Sequence, residues 1–203
     1  MAGFEKQKKY LPTQIQELQF VDKYSRWNYR KGRRETWDES VARAVAYLVE
    51  LSENKLSNQD YTDIMNAMLN MEAFSSMRLF AMAGEAARRC NSVLYNCSYI
   101  AIDSVRSFSE ILYLSMSGTG VGFSVESKFV SQLPEIRYQP DRSIEAPTWV
   151  IDDSQEGWAE AFHIGLSSWF SGSDCRFDYS QIRPIGSVLK TKGGRASGPD
   201  PLK

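Results

Sequence analysis

The residues best equipped for chemistry lie in Leu94-Tyr95-Asn96-Cys97-Ser98-Tyr99-Ile100-Ala101-Ile102-Asp103, a run that otherwise reads as a buried strand. Alternation along a strand puts Cys97, Tyr99 and Ala101 on one face and Asn96, Ser98, Ile100 and Ile102 on the other. A thiol fixed on rigid backbone among small polar groups suits a placed redox group. It suits core filling equally well, because free cysteine is among the most buried residue types. A second candidate is Ser117-Gly118-Thr119-Gly120-Val121-Gly122-Phe123-Ser124-Val125. Its glycines let backbone approach a ligand closely. The G-x-G-x-x-G spacing is incomplete and no Gly-Lys-Ser/Thr follows, so neither the dinucleotide nor the P-loop fingerprint is met. A tight turn between helix and strand explains the run as well. Cys90 and Cys175 have no base or second cysteine nearby in sequence and read as structural, as does His163 inside a helical pattern.

These candidates need elements to hold them, and the chain has the material. Its 203 residues suffice for one large domain or two small ones. A hydrophobic share of 42% and a charged share of 24% describe an ordinary soluble globular protein. The formal net charge of −1 argues against a general polyanion binder, so no nucleic-acid partner is expected. Local basic clusters, Lys6, Lys8, Lys9 and Arg30, Lys31, Arg33, Arg34, read as solvated surface. No stretch approaches a membrane span and no signal-peptide pattern is visible. Three irregularly spaced cysteines suit a reducing, cytoplasmic setting and cannot complete a cysteine-based zinc site, so no metal is expected.

Residues 1 to about 30 are polar and rich in turn signals, which predicts an extended lead-in. Thr36 and Glu39 form a capping box before Val41, Val45 and Leu48, predicting a helix over roughly 37–52. Ser57 and Asp60 open a second, with Tyr61, Ile64, Met65, Met68 and Leu69 on one face. Residues 78–89 predict a third, short helix. A strand over 94–102 follows, with Asp103 as N-cap of a helix carrying Val105, Phe108, Ile111 and Leu112. The glycine run enters a second strand. Asp153 and Glu156 open a helix that buries Trp158, Ala161, Phe162, Leu166 and Trp169, and a third strand spans 175–182 before Arg183-Pro184. This order of elements predicts α/β architecture. The last residues, 190–203, read as a Gly/Pro loop, and the uncovered strand edges suggest part of something larger.

Taken together, several segments resemble one family. They are Tyr24-Ser25-Arg26-Trp27, Gly32-Arg33-Arg34-Glu35-Thr36-Trp37-Asp38-Glu39, Ser75-Ser76-Met77-Arg78-Leu79 and Tyr95-Asn96-Cys97. The glycine run, Glu156-Gly157-Trp158, Ile182-Arg183-Pro184 and Gly193-Gly194-Arg195-Ala196-Ser197-Gly198-Pro199-Asp200-Pro201-Leu202 continue the series. In this order they resemble the N-terminal part of adenosylcobalamin-dependent (class II) ribonucleotide reductases.

The resemblance implies an N-terminal helical region over residues 1–90, followed over 91–203 by the first half of a ten-stranded α/β barrel. In this family a radical on one cysteine removes the 3′ hydrogen of the ribose. Two other cysteines deliver reducing equivalents as the 2′ hydroxyl leaves. Cys97 matches one of that reducing pair. Ser76 matches a loop that meets substrate phosphate, although the family often has Pro where Ser75 stands. Thr119 and Gly120 match a turn whose backbone approaches the substrate. Asp103 and Ser104 match positions that bind a nucleotide effector through its ribose, while an N-cap role explains Asp103 equally well. Gly193, Gly194 and Ser197 fall in a loop placed near the cobalamin. The radical cysteine and the partner of Cys97 lie on later strands than this sequence contains. The expected partners are therefore a C-terminal half of the reductase, a ribonucleotide, a deoxynucleotide or ATP effector, and a thioredoxin-type reductant. A split gene or an intein-type break accounts for the shortened chain, as does simple truncation. The chain alone is then expected to be inactive. The alternatives are a non-catalytic nucleotide-binding remnant and the N-terminal part of a class I large subunit.

Overall fold

In the computed structural model, residues 10–53, 55–137, 146–189, 191 and 193–203 are described. The basic residues Lys6, Lys8 and Lys9, and Lys190 and Lys192 of the terminal run, lie outside them. The chain divides into two compact units, residues 1–94 and 95–203.

The first unit is mostly helical. Its first helix, α1 (Gln14–Lys23), stands where the sequence predicts an extended lead-in. Thr13 and Gln16 form a reciprocal capping box, and Ile15, Leu18 and Val21 stand at helical spacing but are exposed, leaving Phe20 as the helix's buried residue. A short antiparallel hairpin, β1 (Trp27–Asn28) and β2 (Arg33–Arg34), leads into α2 (Trp37–Leu51), which starts at the Thr36–Glu39 capping box as predicted. Ser57 caps α3 (Asn58–Leu69), again with a reciprocal box. The single helix predicted over 78–89 is two: α4 (Met77–Met82) and α5 (Glu85–Arg89). Gly84 breaks them with φ of +96°, a conformation that L side chains rarely adopt. A 3₁₀ turn, Asn91–Leu94, closes the unit.

Phe80, Val41, Val45 and Val93 are fully buried here, and Phe80 sits among the rings of Phe20, Tyr24, Trp37 and Phe74. Beside them Glu35 accepts from Arg43 at 2.9 Å and from Ser40 at 2.8 Å. Arg43 donates onward to the carbonyls of Phe80 and Ala83, capping the end of α4. Arg26 donates to the Ala81 carbonyl. Burial pushes its guanidinium below the ordinary arginine value, with the nearby Arg43 charge adding and Glu35 opposing.

The second unit is built from two parallel strand–helix–strand units. In the first, β3 (Cys97–Ala101) is joined through α6 (Val105–Met116) to β4 (Gly120–Ser124). A one-turn helix, α7 (Ser127–Val130), follows. In the second, β5 (Thr148–Val150), which the sequence reading missed, is joined through α8 (Gln155–Phe170) to β6 (Arg176–Asp178). The two pairs are separate sheets. Ile151, Ala161 and Ile182 form a core with Trp158, Phe177, Tyr179 and Leu202 around it.

Several boundaries shift from expectation. The N-cap of α6 is Ser104, and Asp103 instead accepts from the Ser107 hydroxyl at 3.1 Å. The N-cap of α8 is Ser154, which accepts from Gly157, while Asp153 pairs with Arg183 at 2.6 Å. In both places a serine one position later, in extended backbone, holds the N-cap position; Ser154 makes the side-chain cap bond, whereas the Ser104 hydroxyl meets that of Ser107 at 3.0 Å. Trp169, predicted buried, is 53% exposed. The predicted third strand is shorter, because a turn from Tyr179 to Ile182 ends it. The terminal run folds back as a hairpin around the Val188–Arg195 bridge, before a final 3₁₀ turn, Asp200–Leu202.

Candidate active site

Cys97 is the first residue of β3, and its register partner on β4 is Gly120; Tyr99 faces Gly122 and Ala101 faces Ser124. Register partners in a parallel pair project to the same side. One face of the pair thus carries the thiol, the Tyr99 ring and Ser124 along a strip of bare glycine. The other face, with Ile100, Ile102 and Phe123, lies toward the helices. There Ile102, Phe108, Ile111, Leu112, Phe123 and Phe162 line an apolar cavity of 370 Å³. Cys97 is exposed, against the reading of its strand as buried, and so is Tyr99. The sequence pattern assigns the faces correctly, but it cannot say which of them is covered.

The glycine run delivers β4 to this position. Gly118 has φ of +85°, which ends α6 and turns the chain. The Gly120 amide then donates to the Asn96 carbonyl at 2.9 Å, and the Thr119 hydroxyl donates to the Tyr95 carbonyl at 3.1 Å. Thr119 is 4% exposed. The far end of the turn is tied to α8, where the Gln155 amide donates to the Ser117 hydroxyl at 3.3 Å. The structure therefore brings Cys97, Thr119 and Gly120 together, with Asp103 and Ser104 just beyond the other end of β3. Tyr95, whose carbonyl anchors the turn, enters the sequence reading only as part of the Tyr95-Asn96-Cys97 segment; nothing in its side chain signals this main-chain role.

Ser76 belongs to the first unit. It caps α4, its hydroxyl accepting from the Leu79 amide at 3.1 Å. Phe74, two residues earlier, stacks on Trp37 with ring centroids 5.8 Å apart and meets Phe80 edge-on at 4.7 Å. These contacts anchor the approach to Ser75-Ser76. Gly193, Gly194 and Ser197 sit on the terminal hairpin. The Gly194 carbonyl accepts from Leu189, and the Ser197 hydroxyl donates to the Gly198 carbonyl. Cys90 is buried in the first unit and Cys175 half-buried beside β6.

Comparison with known proteins gives these elements a context. Residues 1–89 match the ribonucleotide reductase alpha domain. The chain is 29% identical over 207 residues to the adenosylcobalamin-dependent ribonucleoside-triphosphate reductase of Euglena gracilis, covering 92% of this chain and 28% of that enzyme. With the enzyme of the same description from Lactobacillus helveticus it shares 27% over 247 residues, covering 88% of this chain and 33% of that one. A crystal structure of a B12-dependent (class II) ribonucleotide reductase matches its fold with a TM-score of 0.76 at 24% identity, over 92% of this chain and 35% of the other. In sequence the chain is thus similar to adenosylcobalamin-dependent ribonucleoside-triphosphate reductases, in fold to a class II reductase, and it spans about a third of the length of those it matches.

Proposed function

We propose that this chain forms the N-terminal part of a class II ribonucleotide reductase and carries, in Cys97, one of the two thiols that reduce the substrate. The observation that carries this reading is the placement of Cys97: exposed, at the start of a strand, across from Gly120 on a face where Tyr99 and Gly122 are exposed as well. Rigid backbone suits a thiol that must reach one sugar carbon, since reactivity collapses with misplacement of about 1 Å. The glycine strip leaves room beside it for a ribose.

The reaction removes the 3′ hydrogen through a radical on a cysteine of the remaining polypeptide. The 2′ hydroxyl leaves as water. Cys97 and a partner thiol on that polypeptide supply two electrons and two protons, and join as a disulfide. The 3′ hydrogen is then returned, leaving a 2′-deoxyribonucleotide. A thioredoxin-type reductant restores the thiols.

Adenosylcobalamin, named in the relatives' descriptions, supplies the initiating radical when bound. In this chain the hairpin residues Gly193, Gly194 and Ser197 are the proposed contacts. The exposed backbone of Gly194, where an added Cβ would meet nothing within 4 Å, fits close approach of a bulky group. Ser76 is the proposed contact for substrate phosphate. Asp103 and Ser104 are proposed to meet the ribose of a deoxynucleotide or ATP effector. The two parallel strand pairs are proposed as members of one half of a ten-stranded barrel that the rest of the reductase completes.

The test combines the chain with the complementary part of the reductase, adenosylcobalamin, a ribonucleotide and a thioredoxin system, and follows deoxynucleotide formation. Sustained product is expected, and Cys97→Ser should reduce multiple turnover by about a thousandfold or more. Unchanged sustained turnover in Cys97→Ser would overturn the assignment.

A further inference from the structure

We propose that Thr119 is a positioning residue for Cys97, acting through the Tyr95 carbonyl and not by touching the substrate. The resemblance places Thr119 in a turn that approaches substrate, yet its side chain is 4% exposed and its hydroxyl donates to the Tyr95 carbonyl at 3.1 Å. One residue on, the Gly120 amide donates to the Asn96 carbonyl at 2.9 Å. The two carbonyls immediately before the thiol residue are thus held by two successive groups of one turn. The turn is held in its own right. The Thr119 amide donates to the Leu114 carbonyl at 3.2 Å, the Gly118 amide to Ser115 at 2.8 Å, and the Ser117 hydroxyl to Tyr113 at 3.1 Å. Gln155, on α8, donates to that same Ser117 hydroxyl. Side-chain and main-chain bonds therefore run from α8 through the end of α6 into the residues that start β3.

The consequence for Cys97 is geometric. It begins the strand, and the carbonyls of the two residues before it are held by this turn. A strand end held by main-chain bonds alone frays readily. The threonine hydroxyl adds a side-chain bond one residue upstream of the ladder, and thereby extends the rigid backbone past the thiol. The β-branched side chain suits the task, since its χ1 is restricted and little freedom is lost on fixing the hydroxyl.

The proposal rests on the reading of Cys97 as a reducing thiol, and two measurements separate the two. Amide exchange on the full chain, with no substrate, reads the latch itself. Thr119→Val, which keeps the shape and removes the donor, should speed exchange of the Gly120 amide about five- to tenfold, in line with the net worth of one hydrogen bond. Thr119→Ser should restore the native rate, and amides of α2 in the other unit should not change. In the reconstituted reductase, Thr119→Val should lower kcat about ten- to hundredfold with KM within about threefold, as expected for a misplaced reacting group. Thr119→Ser should recover most of the loss. A rise in KM at unchanged kcat would mean that Thr119 touches substrate and would overturn the proposal. So would native exchange and native kcat in Thr119→Val. If the native reductase makes no deoxynucleotide, the reading of Cys97 fails, and the exchange rates alone then decide whether the latch exists.

Discussion

A single carboxylate, Glu39, shows how much one residue's setting rests on neighbours close in sequence. Arg33 and Lys31 donate to it from the β1–β2 hairpin, and the Thr36 amide donates from the start of its own helix. Together these hold its carboxyl well below the usual carboxylate range, with Arg33 contributing most. Because the folded value is depressed, the stabilisation is fully present above the ordinary value of 4.5 and is lost as pH falls through the folded one. Native protein should therefore exceed Glu39→Gln in thermal stability at about pH 7, and the gap should close progressively below about pH 4.5. A gap that stays constant to strongly acid pH would contradict this account. Added salt should narrow it as well, since the Arg33 and Lys31 side chains are exposed to solvent.

Among the elements, two are held by contacts that leave little tolerance. Phe80 on α4 is fully buried within an aromatic cluster, so Phe80→Ala should cost about 3–5 kcal/mol in urea unfolding of the first unit. At the start of α8, a Cβ on Gly157 would lie 2.4 Å from the Asp152 carbonyl oxygen. Gly157→Ala should therefore destabilise the second unit by about 1–3 kcal/mol, a cost of overpacking that the usual helix preference for alanine does not offset. These elements also show what was legible in the sequence. Reciprocal capping boxes mark α2 and α3 to within a residue, because both the cap and the apolar stripe are local signals. For α1 the capping box and a short Ile15, Leu18, Val21 stripe are present but lie in an otherwise polar stretch, and for β5 a three-residue strand with every side chain exposed carries no pattern at all. Gly84 splits a helix through a backbone angle, which the alanine-rich sequence around it masks. At the site, the face shared by Cys97 and Tyr99 follows from alternation alone. Its pairing with Gly120, and the bond from Thr119 to Tyr95, depend on a register that only long-range packing sets.

At the scale of the whole molecule, the second unit leaves large apolar side chains in contact with water. Phe123 is 61% exposed, Val125 66%, Val150 59% and Ile185 78%. Phe123 and Val125 also line the apolar cavity beside α6, and contiguous exposed apolar surface is the kind that partners cover. Adding the complementary part of the reductase should raise the melting temperature of this chain, since a ligand that binds only the folded state stabilises it by mass action. A sharp, cooperative melt at high temperature by the monomeric chain alone, unchanged by that addition, would contradict the proposed assembly. Among the described residues no helix is long and apolar enough to cross a membrane, so burial in a bilayer by such a helix does not explain these side chains.

Gly120 and Gly122 carry one more consequence, best seen through a selection experiment. Neither has a left-handed φ, and a Cβ at either would meet its nearest neighbour at 3.6 Å or 3.7 Å, ordinary contact distances. Folding alone does not demand glycine at these positions, whereas Gly118 with its φ of +85° is held by its backbone. A library randomised at 118, 120 and 122 and sorted only for folded protein should keep glycine at 118 and admit valine, isoleucine or threonine at the other two, as β-strands prefer. Sorted for deoxynucleotide production, the same library should return glycine at all three. The difference between the two surviving populations would be a direct map of the space beside Cys97 that catalysis reserves and the fold does not.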